Sequence, residues 1–351
     1  MTETVNAKAP SPMFDIGRKM KFHLELTDKC NAACPMCGRT QQLNRCLPDM
    51  TKVRNIDLDL ATIKRNFPTA LCQNILEIDL CGGLGDPAAA RDCFDICEYF
   101  ITHGIRLIFS SNAGLRSASW WERLGRLFVQ NDSLVEFHID GLADTNHLYR
   151  LNTRFNKIME NAKAFLGTGA KAEWHFIPFE HNQHQIAEAL ALSRDMGFVA
   201  FKVIDTIRFG KNEGFDYQMP DGSLRQLRPA DQKVVDRQLG RGDETNAQEA
   251  LESTADLTTI RCKSLEENRP YIVATGAVSA CCWVEGSDDE KNMYQQADRD
   301  PIEHNVNHRL LSDILMEEPY RSIYSKAWDS AANPVCIRKC GKMRRSTREA
   351  F

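Results

Sequence analysis

The sequence predicts an α/β fold, a partial (β/α)6 barrel followed by a smaller C-terminal module. Three observations lead there. Six strand-like apolar runs alternate with five amphipathic stretches from Lys21 onward, the pattern of a parallel sheet with right-handed crossovers. Gly104, Gly169 and Gly197 each end a helical pattern just before an apolar run, where a helix C-cap belongs. The segments able to carry chemistry fall directly after strands, and in such sheets ligands gather at the carboxyl ends of the strands.

Residues 1–19, rich in Pro, Ser, Lys and Thr, predict a flexible leader without a fold of its own. The barrel core is expected over 20–207. Its strands are predicted at Phe22–Leu26, Ile75–Leu80, Arg106–Ser110, Leu134–Ile139, Glu173–Pro178 and Ala200–Ile204, each a short apolar or alternating run. Between them, residues 58–66, 88–103, 117–130, 154–166 and 184–196 repeat apolar positions at helical spacing. The pattern loosens over 208–256, a barrel exit and linker around one helix at 229–239, and the second module is placed at 257–351.

A chain of 351 residues can bury a large core without disulfides. The net charge of −4 gives no electrostatic case for nucleic acid, and the basic residues Arg338, Lys339, Lys342, Arg344, Arg345 and Arg348 read as a solvated helix end. No signal peptide and no membrane-spanning apolar run is legible, so a reducing, cytoplasmic location is expected. There, thirteen cysteines point to metal or catalytic thiols. Eight fall into two spaced groups; Cys46, Cys72, Cys81, Cys93 and Cys97 are scattered.

The first group is Cys30, Cys34 and Cys37, spaced C-x3-C-x2-C directly after the first strand. Three thiolates on one loop can hold three irons of a [4Fe–4S] cube and leave the fourth iron open. A zinc loop or buried free cysteines are the alternatives, although structural zinc usually shows C-x2-C pairs and four close ligands. The loop resembles the signature of the radical S-adenosylmethionine (SAM) superfamily. That resemblance implies an enzyme whose open iron binds the amino and carboxylate groups of SAM, and whose electron comes from a flavodoxin- or ferredoxin-type donor.

Other segments extend the resemblance. Cys81-Gly-Gly-Leu-Gly-Asp-Pro87 is similar to a GGxEP-like loop, with Gly82, Gly83 and Gly85 able to bring backbone close to the methionine end of SAM and Asp86 at the acidic position. Ser110-Ser111-Asn112-Ala-Gly114 resembles an STNG segment that meets the ribose or adenosine. His138-Ile-Asp140-Gly141 is similar to an SxDG pattern, and Arg150 follows where relatives place an Arg for the SAM carboxylate. Met36, before the third cysteine, is expected beside the adenine.

The second group comprises Cys262, Cys281, Cys336 and Cys340, with Gly276 giving C-x13-G-x4-C; Cys282 competes with Cys281, and the spacing from Gly276 favours Cys281. This resembles the twitch-type auxiliary module, a shortened relative of SPASM, and implies a second [4Fe–4S] cluster. Zinc on the same four cysteines is the alternative.

Two clusters and SAM would make a two-electron oxidation natural, with candidates for base or substrate anchor at His138, Trp174, His175, His181, Asn182, His184 and Arg208. Trp174 and His175 lie on opposite faces of one strand, so only one can point into the barrel. The expected substrate is a small polar metabolite, with a ribosomal peptide undergoing oxidation, epimerisation or crosslinking as the alternative. A non-catalytic electron carrier or zinc-stabilised binding protein is the third possibility.

Overall fold

A computed structural model describes residues 14–44, 53–206, 208–209, 213–219, 221–240, 262–285, 300–317, 336, 340 and 347–349. The core is a parallel sheet of β1 (Met20–Leu24), β2 (Ile75–Leu80), β3 (Arg106–Ser111), β4 (Leu134–His138), β5 (Lys171–Phe176) and β6 (Ala200–Ile204), hydrogen-bonded in chain order. This is the predicted α/β architecture. β2 and β6 coincide with the predicted runs, whereas β1 and β5 begin and end two residues early. Leu26 stays 1% exposed after the β1 ladder has ended, so its apolarity marks burial and not pairing. Pro178 has no N–H to give the β5 ladder.

Crossover helices cover the outer face: Leu60–Asn66, Cys93–Thr102, Ala118–Phe128, Phe155–Leu166 and Ile186–Met196. Asp59 and Ser117 cap the first and third of these through the N–H groups of Thr62 and Trp120. Gly104, Gly169 and Gly197 all adopt positive φ after their helices, as their positions predicted. Phe109, Phe137, Trp121, Phe128 and Phe165 interlock beneath these helices, mostly edge to face with the Trp121–Phe137 pair tilted, at ring separations of 5.3 to 6.3 Å. Each buried aromatic of this kind contributes ~1.5–3 kcal/mol through area removed from water.

The inner face is polar. Lys21 and Arg106 pair with Glu77, Arg269 with Asp79 at 2.5 Å, and Lys202 with Glu173 at 2.8 Å. The sheet therefore separates an aromatic core from a lumen of paired charges.

Beyond β6, the segment predicted as a loosened linker forms an antiparallel hairpin, β7 (Phe215–Gln218) and β8 (Leu224–Leu227), and then the expected helix, here Gln232–Gln238. β9 (Tyr271–Ile272) joins β1 in parallel and β10 (Val278–Ser279) pairs with β9, so residues 262–285 continue the barrel sheet. β11 (Thr347–Glu349) lies antiparallel to β6 at the opposite edge. Residues 14–19 correct the leader prediction: Phe14 is fully buried, and Asp15 N–H donates to Asn268 Oδ1 at 3.0 Å. Residues 1–13, Cys46 and 241–261 lie outside the described residues. Among those described, no helix is long and apolar enough to cross a membrane.

Candidate SAM and iron–sulfur site

The loop after β1 carries Cys30, Cys34 and Cys37. Its turn is anchored by Asp28, whose carboxylate accepts the backbone N–H groups of Arg54, Asn55 and Ile56 at 2.5, 3.1 and 2.8 Å. Cys37 N–H donates to Cys34 O at 3.0 Å, folding the last two cysteines onto one turn. Burial first, then the neighbouring Asp86, Cys34 and Cys37, pushes the Cys30 thiol up to about 12. Three bare thiolates would not be tolerated there, whereas thiolates neutralised by iron would. Two donors already face the sulfurs: Asn112 Nδ2 is 3.6 Å from Cys30 Sγ, and Arg150 Nη1 is 3.7 Å from Cys34 Sγ. The donor set fits a three-thiolate cluster.

Asp86 ties three of the predicted segments together. It is 4% exposed and accepts from Ala88 N–H, from Ser111 Oγ at 2.9 and 3.0 Å, and from Asn112 N and Nδ2 at 2.9 and 2.7 Å. Asn112 Nδ2 also reaches Asn31 Oδ1 at 3.0 Å, linking the end of β3 to the cysteine loop. Asp86 and Ser111, expected to contact a ligand directly, thus spend these polar atoms on each other. The Gly-rich loop is equally constrained, because a Cβ on Gly85 would lie 1.7 Å from Thr27 O and one on Gly82 2.5 Å from Gly85 O. Gly83 has room, its nearest neighbour being Tyr271 Oη at 3.5 Å.

Asp140 and Arg150 form a pair. Asp140 is fully buried, accepts Ile177 N–H at 2.6 Å, and receives Arg150 Nε at 2.6 Å. One edge of the guanidinium is therefore spoken for while Nη1 faces the cysteine loop. Met36 is buried, and Arg208 Nη1 donates to its carbonyl at 3.0 Å, so Arg208 braces the cysteine loop.

Of the predicted catalytic side chains, the lumen brings His138 and His175 together, their rings 5.1 Å apart edge to face. Trp174 is a correction. It points to the helix side, packs on Phe198 and Phe201, and donates its indole N–H to Ile139 O at 2.9 Å. Strand alternation put His175 inside, so Trp174 is a core residue. His181 stacks on Phe179, and Asn182 bonds the carbonyls of Asp140 and Ile177, a structural role.

In the second cysteine group, burial together with Cys281 and Cys340 pushes the Cys262 thiol up to about 11, which puts these three thiols in one neighbourhood. Cys336 and Cys281 pack on the same hydrophobic cluster. Cys282 turns elsewhere: after burial and Cys281, its charge environment is set by Arg269 and Asp79 of the lumen.

Two functional positions escaped the sequence reading. Glu25 Oε1 accepts Leu84 and Gly85 N–H at 2.7 and 3.1 Å and so clamps the Gly-rich loop; burial raises its carboxyl to about 7. The signal was an acid inside an apolar run. Glu136, on the lumen face of β4, accepts Ser110 Oγ at 2.5 Å.

No protein-family model and no curated protein matches the chain. Solved structures do. Streptococcus suis SuiB bound to S-adenosylmethionine superposes with a TM-score of 0.57 at 14% identity, covering 91% of this chain and 72% of SuiB. SuiB bound to precursor peptide SuiA gives 0.57 at 14% identity, over 88% and 67%. anSMEcpe with bound AdoMet gives 0.54 at 12% identity, over 87% of this chain and 79% of that one. At such identities the likeness is one of fold, and the chain shares the fold of these SAM-binding proteins.

Proposed function

We propose that the chain is a radical SAM enzyme that oxidises a polar substrate held in the barrel lumen. The observation that carries this is the convergence of Cys30, Cys34 and Cys37 with Asn112 and Arg150, wired through Asp86 to the Gly-rich loop at the carboxyl ends of the strands. Cys30, Cys34 and Cys37 would hold a [4Fe–4S] cluster, and Cys262, Cys281, Cys336 and Cys340 a second one. When bound, SAM and the first cluster would supply hydrogen-abstraction chemistry driven by one electron from an external donor, and the second cluster would supply one-electron acceptance.

The protein's own part is placement. Gly82 and Gly83 offer backbone to the methionine end of SAM, Asn112 and Arg150 offer donors, and Met36 gives an apolar wall for the adenine. Asp86, Ser111 and Asp140 are positioning residues for those groups. His138 and His175 are the predicted side chains that meet the substrate, and Arg208 acts by holding the cysteine loop.

A polar lumen suits a small polar metabolite. The second reading, in which the reacting group is a side chain of a ribosomal peptide, is favoured by the peptide-bound structures of SuiB and anSMEcpe. Anaerobically purified protein, reduced and given SAM, is expected to release 5′-deoxyadenosine by mass spectrometry. Zinc in place of iron, or no SAM cleavage with a strong reductant, would sink the proposal in favour of a non-catalytic protein.

A further inference from the structure

We infer that Glu136, His138 and His175 form a receptor for a protonated primary amine on the substrate; the inference takes from the proposed function only that the substrate occupies the lumen. The three stand on the inner face of β4 and β5, where His138 pairs with His175 and Glu136 with Glu173. One ligand atom of each lies within 4.8 Å of the others, with Glu136 Oε2 3.9 Å from His138 Nε2 and 4.0 Å from His175 Nδ1.

Charge selects a cation. Glu77, Asp79, Glu173 and Asp140 each hold a Lys or Arg, and Glu25 receives two backbone N–H groups. Among the described residues Glu136 has the Ser110 hydroxyl and the two imidazoles. His175 Nε2 donates to Glu173 at 2.9 Å, so Nδ1 is the ring nitrogen turned toward Glu136. Burial holds the His138 pKa well below its ordinary value and keeps the ring neutral, and an Nδ1–H tautomer would offer Nε2. With both rings neutral, the trio presents a carboxylate oxygen and two nitrogen lone pairs, the complement of the three N–H donors of an ammonium.

An ammonium and a metal ion differ in the spacing they ask of their ligands. Two ligands of a tetrahedral ion with bonds of about 2.1 Å stand about 3.4 Å apart. Two acceptors of one ammonium, with hydrogen bonds of about 2.8 Å, stand about 4.6 Å apart. The separations of 3.9 and 4.0 Å fall between these two values, so the trio would open by about 0.6 Å around an ammonium. His138 precedes Asp140 by one inner-face step, about 7 Å along the strand, so the amine would anchor the substrate below the rim and leave carbons a few bonds away near the SAM site. An amino sugar, an aminocyclitol or a lysine-type side chain has that form.

The test uses the full-length, cluster-bearing protein without SAM. Saturation-transfer NMR would compare n-butylammonium with n-butanol, matched in length, and with tetramethylammonium, which carries the charge but no N–H. The expected result is saturable n-butylammonium binding at least tenfold tighter than either control, weakened at least tenfold in Glu136→Gln. His138→Asn gives the same comparison if the first variant does not fold. Equal binding of the three probes, or undiminished binding in both variants, would overturn the receptor. Micromolar Mn2+ binding that depends on the trio, without preference for n-butylammonium, would replace the amine by a metal. Formation of 5′-deoxyadenosine is measured separately on the wild type, so amine binding without SAM cleavage would retain the receptor and remove the proposed function, and the converse would remove only the receptor.

Discussion

The two cysteine groups are assembled in different ways. Cys30, Cys34 and Cys37 share one loop that is tied by hydrogen bonds to the ends of β2 and β3, and Arg150 reaches it from beyond β4. Cys262, Cys281 and Cys340 come from separate positions and share one neighbourhood, while Cys336 and Cys281 pack on the hydrophobic core. The first loop is held by contacts within the protein, whereas the second group, under the proposed function, would depend more on a bound metal to gather its thiols. Removing iron should therefore damage chemistry at the first group and folding at the second.

The largest effect breaks the comparison at its first member. Replacing Cys30, Cys34 and Cys37 together by Ala is expected to remove about half the iron and all 5′-deoxyadenosine formation, since Ala offers no thiolate. Elemental analysis with mass spectrometry checks this, and SAM cleavage by the triple variant would show the loop misassigned. Next comes the Cys262, Cys281, Cys336 and Cys340 quadruple Ala variant. It should lose the second module's iron and product formation yet keep the first cluster and still cleave SAM, with a lower melting temperature than the triple variant. Full product from a folded quadruple variant would exclude the electron-accepting role.

Arg150→Ala is expected to cost ~3–5 kcal/mol of stability, because it strands the buried Asp140 carboxylate. Adding Asp140→Asn should restore much of that stability but not SAM affinity, a split that chemical denaturation and binding on one preparation would resolve. Asp86→Ala should weaken SAM binding roughly ten- to hundredfold by releasing Ser111 and Asn112. Asp86→Asn should be nearly as harmful, since both carboxylate oxygens face only donors and an amide N–H₂ would meet one of them. A fully active Asp86→Asn would contradict the positioning role.

How far the sequence could be read depended on how local each signal was. The six parallel strands and the glycine caps were legible because each rests on a local period. The hairpin β7 and β8 was not, because its strands are only four residues long and mostly exposed. The burial of Phe14 was hidden in a polar segment, since a single apolar residue sets no period. At the site, the identity of Asp86 was legible from its motif, but its role was not, since its partners Ser111 and Asn112 lie 25 and 26 residues on and become neighbours only through the β2–β3 register. The same holds for Glu136, which the sequence did not single out and which joins the candidates His138 and His175 only when β4 lies beside β5.

The smallest predicted effect tests whether the first group's loops are held by protein contacts. Burial raises the Glu25 carboxyl from 4.5 to about 7, even though Leu84 and Gly85 N–H and Tyr271 pull it down. As pH rises, the unfolded chain gives up this proton before the folded protein does. Ionisation therefore costs folding stability progressively between pH 4.5 and 7, by ~1–3 kcal/mol, and the cost is complete above that window. Glu25→Gln keeps an oxygen for the two N–H groups and an N–H₂ that Tyr271 Oη can accept, but it does not titrate. The variant should match wild type near pH 5 and exceed it near pH 8 in urea denaturation. Its SAM affinity should remain near wild type, because the Gly-rich loop stays clamped. Parallel stability profiles would show that Glu25 does not titrate across this window. A loss of SAM affinity at constant stability would instead show that the ionised carboxylate itself shapes the loop.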